Sequence, residues 1–79
     1  MYTREKFGVE LKSKVNKREY IIAIAHWAYS LYLEQDVEES LNDIFLALAS
    51  MEKSYQFEYS YEELEDIADR LIAREDVKL

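Results

Sequence analysis

The chain has 79 residues, with 10 Lys and Arg against 17 Asp and Glu, so its formal net charge is −7. This length predicts one domain over residues 1–79, and the lack of cysteine excludes a disulfide framework and a thiolate zinc site. The acidic balance argues against a general nucleic-acid binder, because phosphate would be repelled. With no proline, one glycine and 49% hydrophobic residues, the composition predicts an ordered, all-α domain.

Hydrophobic spacing predicts four helices, over residues 4–15, 17–34, 37–53 and 61–75, packed as a small four-helix bundle. Thr3 is a favourable N-cap for the first helix, whereas Gly8 weakens its first turn. Capping boxes predict where the other three helices start, at Asn16 with Glu19, Asp36 with Glu39, and Ser60 with Glu63. Residues 54–60 alternate aromatic and polar side chains, and we interpret them as a loop held by aromatic anchors.

Three of the helices carry a single apolar stripe that predicts the core. The stripes are Phe7, Leu11 and Val15 in the first helix, Val37, Leu41, Ile44, Phe45, Leu48 and Met51 in the third, and Leu64, Ile67, Ala68, Leu71 and Ile72 in the fourth. Leu46 lies off the stripe of the third helix, and we expect it to point outward.

The second helix is apolar nearly all round. Its predicted core face is Tyr20, Ile24, Trp27, Ala28 and Leu31, and its other face is Ile22, His26, Tyr29 and Leu33. We expect that second apolar stripe to be buried against another helix or another molecule. Either the first helix lies over it, or a second copy of the chain buries it in a symmetric homodimer. The uncharged run 20–33 would span about 21 Å, too short for a bilayer core of about 30 Å, and no signal segment is visible. We expect a soluble, cytoplasmic protein without membrane contact.

Charge is distributed unevenly along the chain. Residues 1–20 hold six basic and three acidic residues, and residues 34–79 hold four basic and fourteen acidic residues, which predicts two oppositely charged faces. The acidic part contains an aromatic cluster, and its predicted partner-binding residues are Tyr55, Phe57, Glu58, Tyr59, Glu62, Asp66 and Asp69. Aromatic anchors ringed by carboxylates suit a basic protein partner. The alternatives are that the rings plug one end of the bundle and that the carboxylates form a solvated face.

The sequence predicts no catalytic, cofactor or metal site. His26 is the only histidine, no Glu-x-x-His pair exists, and there is no glycine-rich phosphate loop. We therefore expect a non-catalytic domain that binds a basic protein, the alternative being a structural domain that forms a homodimer through the second helix. In length, predicted helix content, acidity and lack of cysteine the chain is similar to proteins that neutralise bacterial nuclease toxins, a likeness of composition that involves no motif.

Overall fold

A computed structural model describes residues 2–34, 36–52, 58–75 and 77 of the chain. Over these ranges it has four α-helices: α1 (Arg4–Asn16), α2 (Ile21–Glu34), α3 (Asn42–Ala49) and α4 (Tyr61–Ile72). Short 3₁₀ turns at Glu39–Leu41 and Ser50–Glu52 flank α3. The predicted small all-α bundle is confirmed.

The helices associate in two pairs, α1 with α4 and α2 with α3. In the first pair, Gly8 sits where the two helices come closest. A Cβ atom on Gly8 would lie 2.9 Å from the Ala68 carbonyl oxygen and 3.0 Å from the Leu71 Cβ. These distances are shorter than van der Waals contact, so the glycine that weakens α1 as an isolated helix is what lets α4 approach it.

Phe7 connects the two pairs. Its side chain is fully buried, stacks on the Trp27 ring of α2 at a centroid distance of 5.0 Å, and meets the Phe45 ring of α3 edge-on at 4.6 Å. Most of the predicted core is buried, but Ile72 of the α4 stripe is 37% exposed, and Val37, Trp27 and Leu31 are half-buried. The buried residues from the predicted stripes are Phe7, Leu11, Val15, Ile24, Ala28, Leu41, Ile44, Phe45, Leu48, Met51, Leu64, Ile67, Ala68 and Leu71.

Two of the predicted N-caps form. The Thr3 hydroxyl accepts a hydrogen bond from the Lys6 N–H at 3.3 Å. Ser60 and Glu63 form the complete capping box, with the Ser60 hydroxyl accepting from the Glu63 N–H and the Glu63 carboxylate accepting from the Ser60 N–H. Both caps lie on the α1–α4 pair.

The other two predicted capping boxes are wrong. Asn16 is the last residue of α1, and α2 begins at Ile21 rather than at residue 17. Asp36 does not open a helix, because its carbonyl accepts a hydrogen bond from the Tyr2 N–H at 2.7 Å and Val37 forms a parallel bridge with Tyr2. The third helix is accordingly shorter than predicted, covering 42–49 rather than 37–53. Here backbone pairing with a distant segment forms in place of the helix start that the local sequence predicted.

Helices α1 and α4 end in the same way, each followed two residues later by an arginine with positive φ. Arg18 has φ 54° and Arg74 has φ 62°. In both cases the next amide, of Glu19 or Glu75, bonds back to a carbonyl five residues earlier, as in a Schellman motif. This ending stops the fourth helix at Ile72 instead of residue 75. Glycine is the usual residue at this position, so neither ending could be predicted from an arginine.

The segment before α1 is fixed to the connection between α2 and α3. Besides the Tyr2–Asp36 bond, the Glu38 N–H donates to the Tyr2 carbonyl at 2.9 Å, and the Tyr2 hydroxyl donates to the Glu10 carboxylate. Burial, together with that carboxylate, raises the pKa of the Tyr2 hydroxyl. Tyr2 thus belongs to the core and joins α1 to the connection between α2 and α3.

Candidate protein-binding surfaces

The first candidate surface is the predicted acidic, tyrosine-bearing site at the start of α4. Tyr55 and Phe57 lie outside the described residues. Of the other five predicted residues, Tyr59 is half-buried against the core, and the exposed ones are Glu58, Glu62, Asp66 and Asp69. A shallow depression of about 380 Å³ lies at the helix start, lined by Tyr59, Ser60, Glu62, Glu63, Asp66 and Ile67.

The carboxylates of this surface differ in how they are compensated. Asp69 lies 2.6 Å from the Lys12 ammonium of α1, and its hydrogen bond raises the pKa of Lys12. Asp66 lies 3.0 Å from the Arg70 guanidinium one turn along α4. Among the described residues, Glu58 and Glu62 have no such cation. The carboxylates that remain available to a partner are therefore Glu62, in the depression beside Tyr59, and Glu58, which precedes Tyr59 in the chain and borders a separate groove.

Opposite charges meet across the α1–α4 pair. Lys12 pairs with Asp69, and Arg74 of the α4 terminus pairs with Glu5 of α1. The basic first segment of the chain and the acidic α4 therefore lie side by side in the structure. The sequence predicted two separate charged faces, and that prediction is wrong for this helix pair, because the fold brings the two ends of the chain together.

Tyr61 has a structural role. Its hydroxyl donates to the Glu19 carbonyl at 2.8 Å, and the Arg18 guanidinium lies 4.9 Å from the centre of its ring. Tyr61 thus braces the turn between α1 and α2 from the first residue of α4. For this residue of the aromatic segment, the structure matches the alternative in which the rings close one end of the bundle.

The second candidate surface is the outer face of α2. Ile22, Tyr29 and Leu33 are exposed, and the side chain of His26 is 71% exposed. The expectation that the first helix covers this stripe is wrong, because α1 packs on α4 instead. Tyr20, predicted for the core face, is 83% exposed because it precedes the first residue of α2.

An apolar groove of about 730 Å³ opens at the N-terminal end of this face. It is lined by Tyr20, Ile21, Ile22, Ala23, His26, Glu52, Glu58 and Tyr61. The His26 Nδ1 lies 3.1 Å from a carboxylate oxygen of Glu52, which joins α2 to the turn after α3. Glu52 also borders a smaller depression, of about 240 Å³, that contains Tyr29 and Leu46.

Leu46 is 50% exposed, as its position off the core stripe predicted. Sequence reasoning missed Glu52, because a carboxylate near the end of a helix carries no signal for the histidine it will meet. The position of Leu46 beside Tyr29 was equally invisible, since it depends on how α3 packs against α2.

Two further properties bear on function. Among the described residues there is no group of three or more His, Cys, Asp or Glu side chains that could hold a metal ion. Over the same part of the chain, no helix has the length and hydropathy needed to cross a membrane. The chain matches no family model, and no curated protein and no solved structure matches it either.

Proposed function

We propose that this protein is a non-catalytic binding domain that engages a basic protein through the acidic surface at the start of α4. The observation that carries the proposal is that the exposed carboxylates of Glu58 and Glu62 have no cation among the described residues, and that Glu62 shares a depression with the half-buried Tyr59. Carboxylates already compensated within the chain would gain little from a partner. Uncompensated ones gain a charge-assisted hydrogen bond.

The dimensions and lining of the depression suit a lysine or arginine side chain. A cation entering beside Glu62 would also meet Asp66 and the aromatic ring of Tyr59. The overall charge of −7 would attract a basic partner from a distance and raise the association rate at low salt. Direct contact at Tyr59 would then supply the apolar part of the interface.

One class of basic partner is a nuclease, since a protein that binds nucleic acid presents cations to the phosphate backbone. Neutralising a bacterial nuclease toxin is therefore a specific form of the proposed function. Its support is the acidic surface together with the composition of the chain, which is short, helical, acidic and free of cysteine.

The proposal is tested with an arginine-rich peptide as the probe, titrated at low and at moderate salt. We expect saturable binding that weakens as salt is added, and loss of at least about tenfold in affinity for the double variant Glu58→Gln/Glu62→Gln. The matched control is Glu39→Gln/Asp43→Gln, which changes net charge equally at two exposed positions near the start of α3. Equal weakening by the two double variants would overturn the proposal, because binding would then depend on net charge alone.

A further inference from the structure

The exposed apolar side chains are concentrated on one side of the molecule. Ile22, Tyr29 and Leu33 of α2 and Leu46 of α3 are each more than two-fifths exposed. Tyr29 and Leu46 border the same depression, and Ile22 lines the larger groove. Single exposed hydrophobic residues are common, whereas a continuous band marks a surface that another molecule covers.

The charge pattern indicates which molecule that is. Residues 20–33 contain no charged residue, although the chain as a whole carries −7. Within residues 20–33 a basic partner would find no carboxylate for its cations, and of the two carboxylates that line the adjoining groove, Glu52 already contacts His26 and Glu58 belongs to the acidic surface. A second copy of this chain would be repelled by most of the surface, but along α2 it meets no like charge. The stripe is therefore suited to self-association.

The spacing of the stripe is the same in both directions. Ile22, His26, Tyr29 and Leu33 are separated by four, three and four residues. In an antiparallel pair of α2 helices, with a two-fold axis midway between His26 and Tyr29, Ile22 of one copy faces Leu33 of the other. His26 then faces the tyrosine at position 29 of the second copy. Its Nδ1 is held by Glu52, which leaves Nε2 to bond with that tyrosine's hydroxyl.

Charges at the two ends of α2 select the antiparallel arrangement. Lys17 and Arg18 are exposed just before the helix, and Glu34 and Asp36 are exposed at its end. In an antiparallel pair, the cations of one copy lie near the carboxylates of the other. A parallel pair would place like charges together at both ends. The antiparallel arrangement also brings Leu33 of the second copy to the apolar groove beside Ile22.

We infer that two copies of this protein form a two-fold homodimer in which their α2 helices pack antiparallel through Ile22, His26, Tyr29 and Leu33. The interface lies on a different helix from the acidic surface of α4. The dimer would carry two copies of that surface, and its formation does not depend on the proposed partner.

Sedimentation equilibrium over a range of micromolar concentrations tests for the dimer. We expect a monomer–dimer equilibrium for the unmodified chain and a rise of at least about tenfold in the dissociation constant for Leu33→Glu, because a two-fold interface contains each substitution twice. The matched control is Val9→Glu, which places the same charge on an apolar residue of α1 that is 57% exposed. Circular dichroism checks that both variants keep their helix content. A monomer at every concentration, or equal dissociation by both variants, would overturn the inference.

Cysteine crosslinking tests the arrangement, since the chain has no cysteine of its own. We expect a disulfide-linked dimer when Ile22→Cys and Leu33→Cys chains are mixed under mild oxidation, and little crosslinking by either variant alone. Efficient crosslinking of Ile22→Cys with itself would show a parallel pair and contradict the antiparallel register. The single variant Glu62→Gln, which alters the acidic depression and not the groove, should weaken peptide binding and dimerise normally, so a failed peptide titration and a failed dimer are separate outcomes.

Discussion

The two helix pairs use the same kinds of side chain in different ways. The α1–α4 pair is joined by a close crossing at Gly8 and by ion pairs such as Lys12–Asp69, and both of its helices begin at the N-cap that the sequence predicts. The α2–α3 pair has an apolar outer face, a short α3 between two 3₁₀ turns, and neither of the capping boxes predicted for it.

This difference separates stability from binding. In the α1–α4 pair most interactions are satisfied within the chain, so its residues mainly hold the fold together. In the α2–α3 pair the apolar residues Ile22, Tyr29 and Leu33 contribute little to the core of a single copy, because they remain exposed. Substitutions in the contact between α1 and α4 should therefore reduce stability, whereas substitutions on the outer face of α2, or of Glu62 at the exposed start of α4, should change association.

The largest expected effect comes from the residue that the two pairs share. Phe7→Ala should lower the free energy of unfolding by about 3–5 kcal/mol, because it leaves a cavity between Trp27 and Phe45. Chemical denaturation followed by circular dichroism and by Trp27 fluorescence measures it, and the two probes should give coincident transitions. Separate transitions would show that the pairs unfold independently and that Phe7 does not join them. Phe7→Leu keeps most of the side-chain volume, so it should lower the free energy of unfolding by less than Phe7→Ala does.

The next effect tests the close crossing of α1 and α4. Gly8→Ala should destabilise the protein by about 1–3 kcal/mol through overpacking, because the new methyl group meets the Ala68 backbone. Helix propensity alone would favour alanine by about 1 kcal/mol, so the sign of the change separates packing from propensity. Val9→Ala, at the adjacent exposed position, should stay within about 0.5 kcal/mol of the parent. A stabilised Gly8→Ala variant would contradict the crossing geometry.

A smaller effect on stability is expected from the N-caps, where Ser60, which caps a helix, can be compared with Asn16, which does not. Ser60→Ala should cost about 1 kcal/mol, since it removes the hydroxyl that accepts from the Glu63 N–H. Asn16→Ala should change stability by less than about 0.5 kcal/mol, because Asn16 ends α1 instead of capping α2. Thermal or urea unfolding measures both variants. An equal loss of stability in the two variants would mean that Asn16 does cap a helix in solution.

The smallest effect appears only at alkaline pH. The pKa of Tyr2 is raised in the folded protein by burial and by Glu10, so its contribution to stability is fully present below about pH 10 and is lost as the pH rises further. The raised pKa of Lys12 acts in the same direction. Urea unfolding at several pH values should therefore show a smaller stability difference between the parent and Tyr2→Phe above pH 10 than at neutral pH. A stability difference that does not change with pH would show that ionisation of Tyr2 is not coupled to unfolding.

The parts of the fold that local sequence predicted are those that depend on neighbouring residues. The stripe of α4, the Thr3 cap and the Ser60–Glu63 capping box all depend on residues within a few positions of each other, and all are present. The helix ends at Arg18 and Arg74 were not predicted, because arginine in the left-handed region gives no sequence signal. The bridge between Tyr2 and Val37 joins distant segments and was also missed.

The candidate sites follow the same division. The exposed stripe of α2 could be identified from its spacing. Whether α1 covers that stripe could not be predicted, because it depends on α1 packing against α4 instead. The Asp66–Arg70 pair could have been predicted from its one-turn spacing. The Lys12–Asp69 pair spans 57 positions, and only the fold reveals that Asp69 is less available to a partner than Glu62.

The pairing of the first helix with the last also affects how the chain is made. During translation, α1 leaves the ribosome long before α4 exists, and at about 5–20 residues per second the 57 positions between Lys12 and Asp69 take about 3–11 s to synthesise. Throughout that interval the Phe7–Leu11 side of α1 lacks its α4 partner. The nascent chain thus presents to chaperones, or to neighbouring nascent chains, the apolar surface that the finished protein conceals most completely.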